Sequence, residues 1–158
     1  MKSLLPLFCL GAALAQAPSP PGALYLPAAK LKGYAASLKA KIAAASGKAM
    51  SANEPLGNRG NYTFQIIRRD ESGEPEIHEA WNDIHIVQEG EGGVIYGGKI
   101  EGGRQTAPGE IRGGKIVGGT TQKLGPGDVV DIPAGVPHQT TVEKGKSYTV
   151  LIFKVEKK

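Results

Sequence analysis

An all-β fold with one helix ahead of it is what this sequence predicts, on three observations. Twenty-three glycines and eleven prolines in 158 residues are too many for a helical bundle. The apolar runs between them are short and rich in Val and Ile, the make-up of strands bounded by turns. One stretch alone, dense in Ala, Leu and Lys, has helical spacing, and it precedes all of the strand-like runs. The length, with 40% hydrophobic residues, suits one domain with a real core and leaves no room for two.

In chain order, Met1 to Ala15 reads as a secretory signal. Lys2 supplies the positive start, Leu4 to Leu14 the apolar stretch and Ala13-Leu14-Ala15 a small-x-small cleavage site. That stretch is too short to span a bilayer as a mature helix, so no stable membrane insertion is expected after cleavage. Cleavage also removes Cys9, the single cysteine, and leaves the mature chain without disulfide or thiol chemistry. Phe8 stands where a lipoprotein signal needs a small residue. The expected location is periplasmic or secreted.

Residues 16–60 read as a Pro-rich tail, a helix and a loop. Within Pro27 to Met50, Leu31, Tyr34, Leu38, Ile42 and Ala45 recur at three- and four-residue spacing and mark one apolar face. The Asn, Pro and Gly residues from Ser51 to Gly60 indicate a loop.

Beyond Gly60 the period changes to that of strands. Tyr62 to Arg69, Pro75 to Ala80, Asp83 to Glu89, Val94 to Tyr96, Lys115 to Val117, Thr121 to Leu124, Val129 to Ile132, Gln139 to Glu143 and Ser147 to Val155 are the predicted strands. Their number and brevity suggest a barrel or sandwich over residues 61–158. Between Gly97 and Gly119, two near-copies of Gly-Gly-Lys-Ile, at 97–100 and 113–116, read as a long hairpin or loop at a barrel mouth. No lysine and Ser/Thr pair follows these glycines at P-loop spacing, which argues against a phosphate-binding loop. Nineteen Lys and Arg against fifteen Asp and Glu are scattered along the chain. No run alternates basic with aromatic residues, so no nucleic-acid partner is expected.

Two segments carry chemistry. Gly127-Asp128-Val129-Val130-Asp131-Ile132-Pro133-Ala134-Gly135-Val136-Pro137-His138 is a turn, a strand and a Pro and Gly bend that starts the next strand on an inward histidine. It resembles the second motif of the cupin superfamily: Gly, five residues, Pro-x-Gly, two residues, His. The family's first motif, His-x-His, four residues, Glu, six residues, Gly, falls on Glu76-Ile77-His78, Asp83 and Gly90. Glu76 replaces the first histidine and Asp83 the glutamate, and both keep an oxygen ligand for a divalent ion. Independently of the family, residues 83, 85 and 87 share one face of a strand, so His85 points inward if Asp83 does.

The resemblance implies a cupin-type (jelly-roll) β-barrel with an N-terminal helix. It also implies a divalent metal, iron, manganese, zinc, copper or nickel, held by His78 and His138 with Glu76, Asp83 or His85 completing the shell. The expected function is a metal-dependent enzyme, of oxygenase, oxidase or lyase type, acting on a small organic acid or carbonyl compound. A free carboxylate of Glu76 or Asp83 would then serve as general base. The alternative is a non-catalytic module that binds or senses a small-molecule ligand, with a structural metal or none. A homodimer is expected, since the helix and the apolar outer sheet of a small barrel need a surface to cover.

Overall fold

The computed structural model describes residues 22–158, so the predicted secretory signal Met1 to Ala15 and nearly all of the Pro-rich tail lie outside the described residues. The predicted helix forms as α1 (Ala28–Ala44). Pro27, at its N-cap in extended conformation, suits a position where a backbone donor has no helical partner to lose. Lys41 in the last turn complements the negative end of the helix dipole. The helix stops short of Met50 because Ser46 and Gly47 adopt left-handed backbone conformations. Ala35, Leu38 and Ile42, at helical spacing, are buried, and the helix lies against the first two strands, β1 (Ser51–Asn58) and β2 (Tyr62–Arg69). No helix among the described residues is long and apolar enough to cross a membrane.

One expectation is corrected at the helix exit. Ser51 to Gly60 is not a loop, because Ser51–Asn58 forms strand β1, paired with β2 (Tyr62–Arg69) from Ser51↔Arg69 to Asn58↔Thr63. Its Asn, Pro and Gly residues suggested a turn. They are tolerated because β1 is an edge strand, whose register shifts between Pro55 and Gly57. A Cβ at Gly57 would run into the ring of Phe64. The barrel therefore begins at Ser51 and not at Asn61.

The remaining strands are β3 (Glu76–His78), β4 (Trp81–Gly90), β5 (Gly92–Tyr96), β6 (Lys99–Glu101), β7 (Arg104–Ala107), β8 (Glu110–Arg112), β9 (Lys115–Val117), β10 (Thr120–Leu124), β11 (Val129–Ile132), β12 (His138–Thr141) and β13 (Tyr148–Glu156). One sheet has the order β1-β2-β13-β4-β11, a second β10-β5-β12-β3-β8-β7, and β6 pairs with β9 alone. Every pairing is antiparallel. This is the all-β jelly-roll architecture expected above. The core between the sheets gathers Val87, Val94, Leu124, Ile132, Val142, Tyr148, Val150 and Ile152.

The glycine-rich stretch is more ordered than the sequence suggested. It is one hairpin in three tiers: β5 with β10, β6 with β9, and β7 with β8. Pairing holds one register through Tyr96↔Thr120, Lys99↔Val117, Glu101↔Lys115 and Arg104↔Arg112 to Gln105↔Ile111, and shifts by one residue before Ala107↔Glu110 at the tip. Glycine pairs at 97–98, 102–103, 113–114 and 118–119 separate the tiers. At two of them a side chain has no room: a Cβ on Gly98 would strike the carbonyl of Val117, and one on Gly114 that of Glu101. These bends let the hairpin leave the second sheet at β5, arch past β12 and β3, and rejoin it where β8 pairs with β3. The near-copies at 97–100 and 113–116 are the two arms of the middle tier, with Ile100 opposite Ile116.

Candidate metal centre

Three strands from both sheets bring the predicted residues together. On β4, Asp83 and His85 lie on the inward face with Val87, as the two-residue alternation requires. On β3, Glu76 and His78 share a face, and His138 opens β12 directly opposite Glu76. The Pro and Gly bend ahead of His138 is tied to β3, since Gly135, at φ 83°, donates its N–H to the carbonyl of His78 at 2.8 Å. A left-handed residue there favours glycine, which accounts for that letter of the motif.

All three histidines of the chain are almost fully buried, each at 2–3% exposure. His78 Nε2, His138 Nε2 and His85 Nε2 lie 3.6, 3.7 and 3.8 Å from the same atom, Oδ2 of Asp83. Glu76 approaches the same nitrogens as closely, with Oε2 3.5 Å from His78 Nε2 and Oε1 3.7 Å from His138 Nε2. Ligand atoms of Glu76, His78 and His138 all fall within 4.8 Å of one another. These separations are too long for hydrogen bonds, and none of the three Nε2 atoms has a hydrogen-bond partner.

Buried imidazole nitrogens are seldom left unpaired. For His138 and His78 the Nδ1 atoms explain why the rings point as they do, whereas neither nitrogen of His85 has a hydrogen-bond partner. His138 Nδ1–H donates to the carbonyl of Val136 at 3.0 Å, and His78 Nδ1–H donates to Glu110 Oε2 at 2.6 Å. Both partners only accept, so in the neutral rings the lone pairs sit on Nε2 and face the group's centre. Donors around one ion at zinc-like bond lengths of about 2.1 Å in a tetrahedron stand about 3.4 Å apart. The observed 3.5–3.8 Å is close to that spacing. Imidazole and carboxylate donors of this kind fit a divalent transition metal.

The charges balance in layers. Lys154 Nζ lies 2.8 Å from both Asp83 oxygens. Burial alone would raise the Asp83 pKa, but His138 first, then His85 and the Lys154 ammonium, hold the carboxyl well below the usual carboxylate range. Burial, with Lys154 close by, pushes the His78 pKa down despite Asp83, Glu76 and Glu110. Burial pulls His138 down as well, yet Asp83, the Val136 carbonyl and Glu76 outweigh it and raise its pKa. Arg112 ion-pairs with Glu76 and reaches Glu110 at 3.7 Å.

The structure thus gathers every residue singled out in the sequence: Glu76, His78, Asp83, His85 and His138. Three further residues belong to the same cluster. Lys154 could have been found, because it is the charged member of an inward alternation with Tyr148, Val150 and Ile152 on β13. Glu110 and Arg112 carried no such signal, since they sit in a short strand between glycines whose place depends on the arch. Asp131 is exposed, and Trp81 lies half-buried at the start of β4.

No family description and no curated protein matches the chain. Among solved structures, 313 chains match it. One is the polyketide cyclase RemF from Streptomyces resistomycificus, 19% identical over 67% of this chain and 65% of that one, with a TM-score of 0.49. Another is an oxalate oxidase in complex with glycolate, 16% identical over 68% and 51%, also at 0.49. A third is the DMSP lyase DddQ from Ruegeria pomeroyi, 19% identical over 70% and 49%, again at 0.49. The chain spans about half to two thirds of the length of these proteins.

Proposed function

We propose that this chain is a cupin-type metalloprotein whose centre is held by His78, His85, His138 and Asp83, with Glu76 at its border, and that it works as an enzyme on a small organic acid or carbonyl compound. The observation that carries the reading is the convergence of three buried, unpartnered Nε2 atoms on one carboxylate oxygen. A bound divalent metal would supply Lewis-acid polarisation of a substrate oxygen or, for a redox metal, activation of dioxygen.

The chain's own residues set the rest. Asp83, gripped by Lys154 and held ionised, is suited to stay a ligand and ill-suited to take up a proton. Glu76, within reach of both His78 Nε2 and His138 Nε2, is the other carboxylate of the centre and the one assigned the role of base. The ionised groups around the centre are Glu76, Asp83 and Glu110 against Lys154 and Arg112, an excess of one negative charge. A divalent ion reverses that to one positive charge, which suits a singly charged organic acid.

A second reading, a non-catalytic binding or sensing module with a structural metal or none, is favoured by the Lys154 ammonium, which already neutralises Asp83 without any metal. Elemental analysis of protein purified without added metal separates the two. About one equivalent of iron, manganese, copper or nickel is the expected result. Absence of any metal, together with no uptake on addition, would leave only the binding module.

A further inference from the structure

We propose that the glycine-rich arch is a working part of the centre, with Glu110 as the residue that positions His78 for it. The inference rests on the reading of His78 as a metal-facing imidazole. It goes beyond that reading by assigning a role to a residue on a distant hairpin.

His78 and His138 are oriented by different means. His138 Nδ1–H is held by the carbonyl of Val136, two residues back in its own chain segment. His78 has no such local acceptor, and its Nδ1–H is held by Glu110 Oε2 at 2.6 Å, on the far arm of the arch. The register supports this contact, because β3 pairs with β8 with His78 directly opposite Glu110. The tip is tied down on either side. Glu79 donates its N–H to Gly109 O at 2.8 Å, and Gly113 donates its N–H to Pro75 O at 2.9 Å. Arg112, two residue pairs along and opposite Glu76, ion-pairs with Glu76 and reaches Glu110, so the arch braces two members of the centre at once.

An ionised carboxylate only accepts, and it fixes the ring in the tautomer that leaves Nε2 bare toward Asp83 Oδ2. Without Glu110 the proton is free to move to Nε2 and the ring free to turn. Glu110 touches neither the metal position nor the reacting atoms, and it is a positioning residue.

The test is a Co²⁺ titration of the purified full-length protein, followed by visible absorbance, for wild type, Glu110→Ala, Glu110→Gln and Glu101→Gln. Glu101 lies on the same arch but faces solvent beside Lys115, and its substitution should bind Co²⁺ as wild type does. Glu110→Ala should lose about 10- to 100-fold in affinity with a changed absorbance spectrum. Glu110→Gln, which keeps an oxygen for Nδ1–H, should recover part of both. Wild-type affinity and spectrum in Glu110→Ala would overturn the proposal. If Glu110→Ala does not fold, Glu110→Gln decides alone: a loss supports the proposal and wild-type affinity overturns it. Should wild type itself take up no Co²⁺, the metal reading fails separately, and the imidazole ¹⁵N spectrum of His78 at mildly alkaline pH decides. A proton on Nδ1 in wild type that shifts toward Nε2 in the variant supports the role of Glu110, and the same tautomer in both overturns it.

Discussion

The two ends of the barrel interior are made by the same strands and do opposite work. Along the inward face of β4 the order is Asp83, His85, Val87, and along β12 and its continuation it is His138, Thr140, Val142. β13 runs the other way, from Tyr148 through Val150 and Ile152 to Lys154. The register aligns these gradients, with Lys154 opposite Asp83, Ile152 opposite His85 and Val150 opposite Val87. One end is a charged cage, the other a packed apolar plug. The lesson is that the strands need no special backbone at the centre: alternation supplies inward positions, and the two residue types change the chemistry from one pair to the next.

If the two ends are energetically separate, substitutions at one should leave the other intact. The largest effect is expected from His78→Ala and His138→Ala, each of which removes a nitrogen donor. Calorimetric titration with a divalent transition metal should show affinity falling by at least about 100-fold in either variant. Wild-type affinity in both would sink the metal centre altogether. At the apolar end, Val150→Ala removes two methyl groups from a residue with no exposed surface and should cost about 2 kcal/mol in urea unfolding. Metal affinity should stay within about threefold of wild type, and a larger drop would show that the plug and the cage are coupled.

The smallest effect concerns acid. In metal-free protein the depressed pKa of Asp83 contributes stability at pH values above its ordinary range, near 4, and that contribution is lost as pH falls toward the folded value. His138, with a raised pKa, stabilises below about pH 6.5 and loses its effect as pH rises through its folded value. His78, with a lowered pKa, loses stability as pH falls below about 6.5, so the two act on opposite sides of that pH. Stability should therefore be highest near about pH 6.5, decline on either side, and fall further below about pH 4. Asp83→Asn should lower stability at neutral pH by about 1 kcal/mol and flatten the acid fall. An acid limb as steep as that of wild type in Asp83→Asn would assign the fall to other carboxylates.

The cage was legible in the sequence to the extent that two segments resemble the cupin motifs. The resemblance placed His78, Asp83 and His138, and period-two alternation from Asp83 added His85. β1 was not legible, because an edge strand tolerates Asn, Pro and Gly that mark turns elsewhere, and its partner β2 lies beyond a reversal of the chain. Glu110 and Arg112 were hidden for a different reason. Their contribution depends on β8 meeting β3, a pairing set by three tiers of hairpin and not by any pattern within Glu110-Ile111-Arg112.

The register of that hairpin, unbroken from Tyr96↔Thr120 to Gln105↔Ile111, also limits how its length can change. An extra residue in one arm of that stretch, unless taken up by a bulge like the one between Gln105 and Ala107, would slip the pairing and turn Ile111, in place of Glu110, toward His78. One residue added to each arm would keep the pairing but reverse the face that the tip presents. Only two in each arm restore the face, and they lengthen the reach by about 7 Å, past the strand it must meet. An arch so built admits no gradual lengthening: it spans the distance from β5 to β3 or it delivers nothing to the centre.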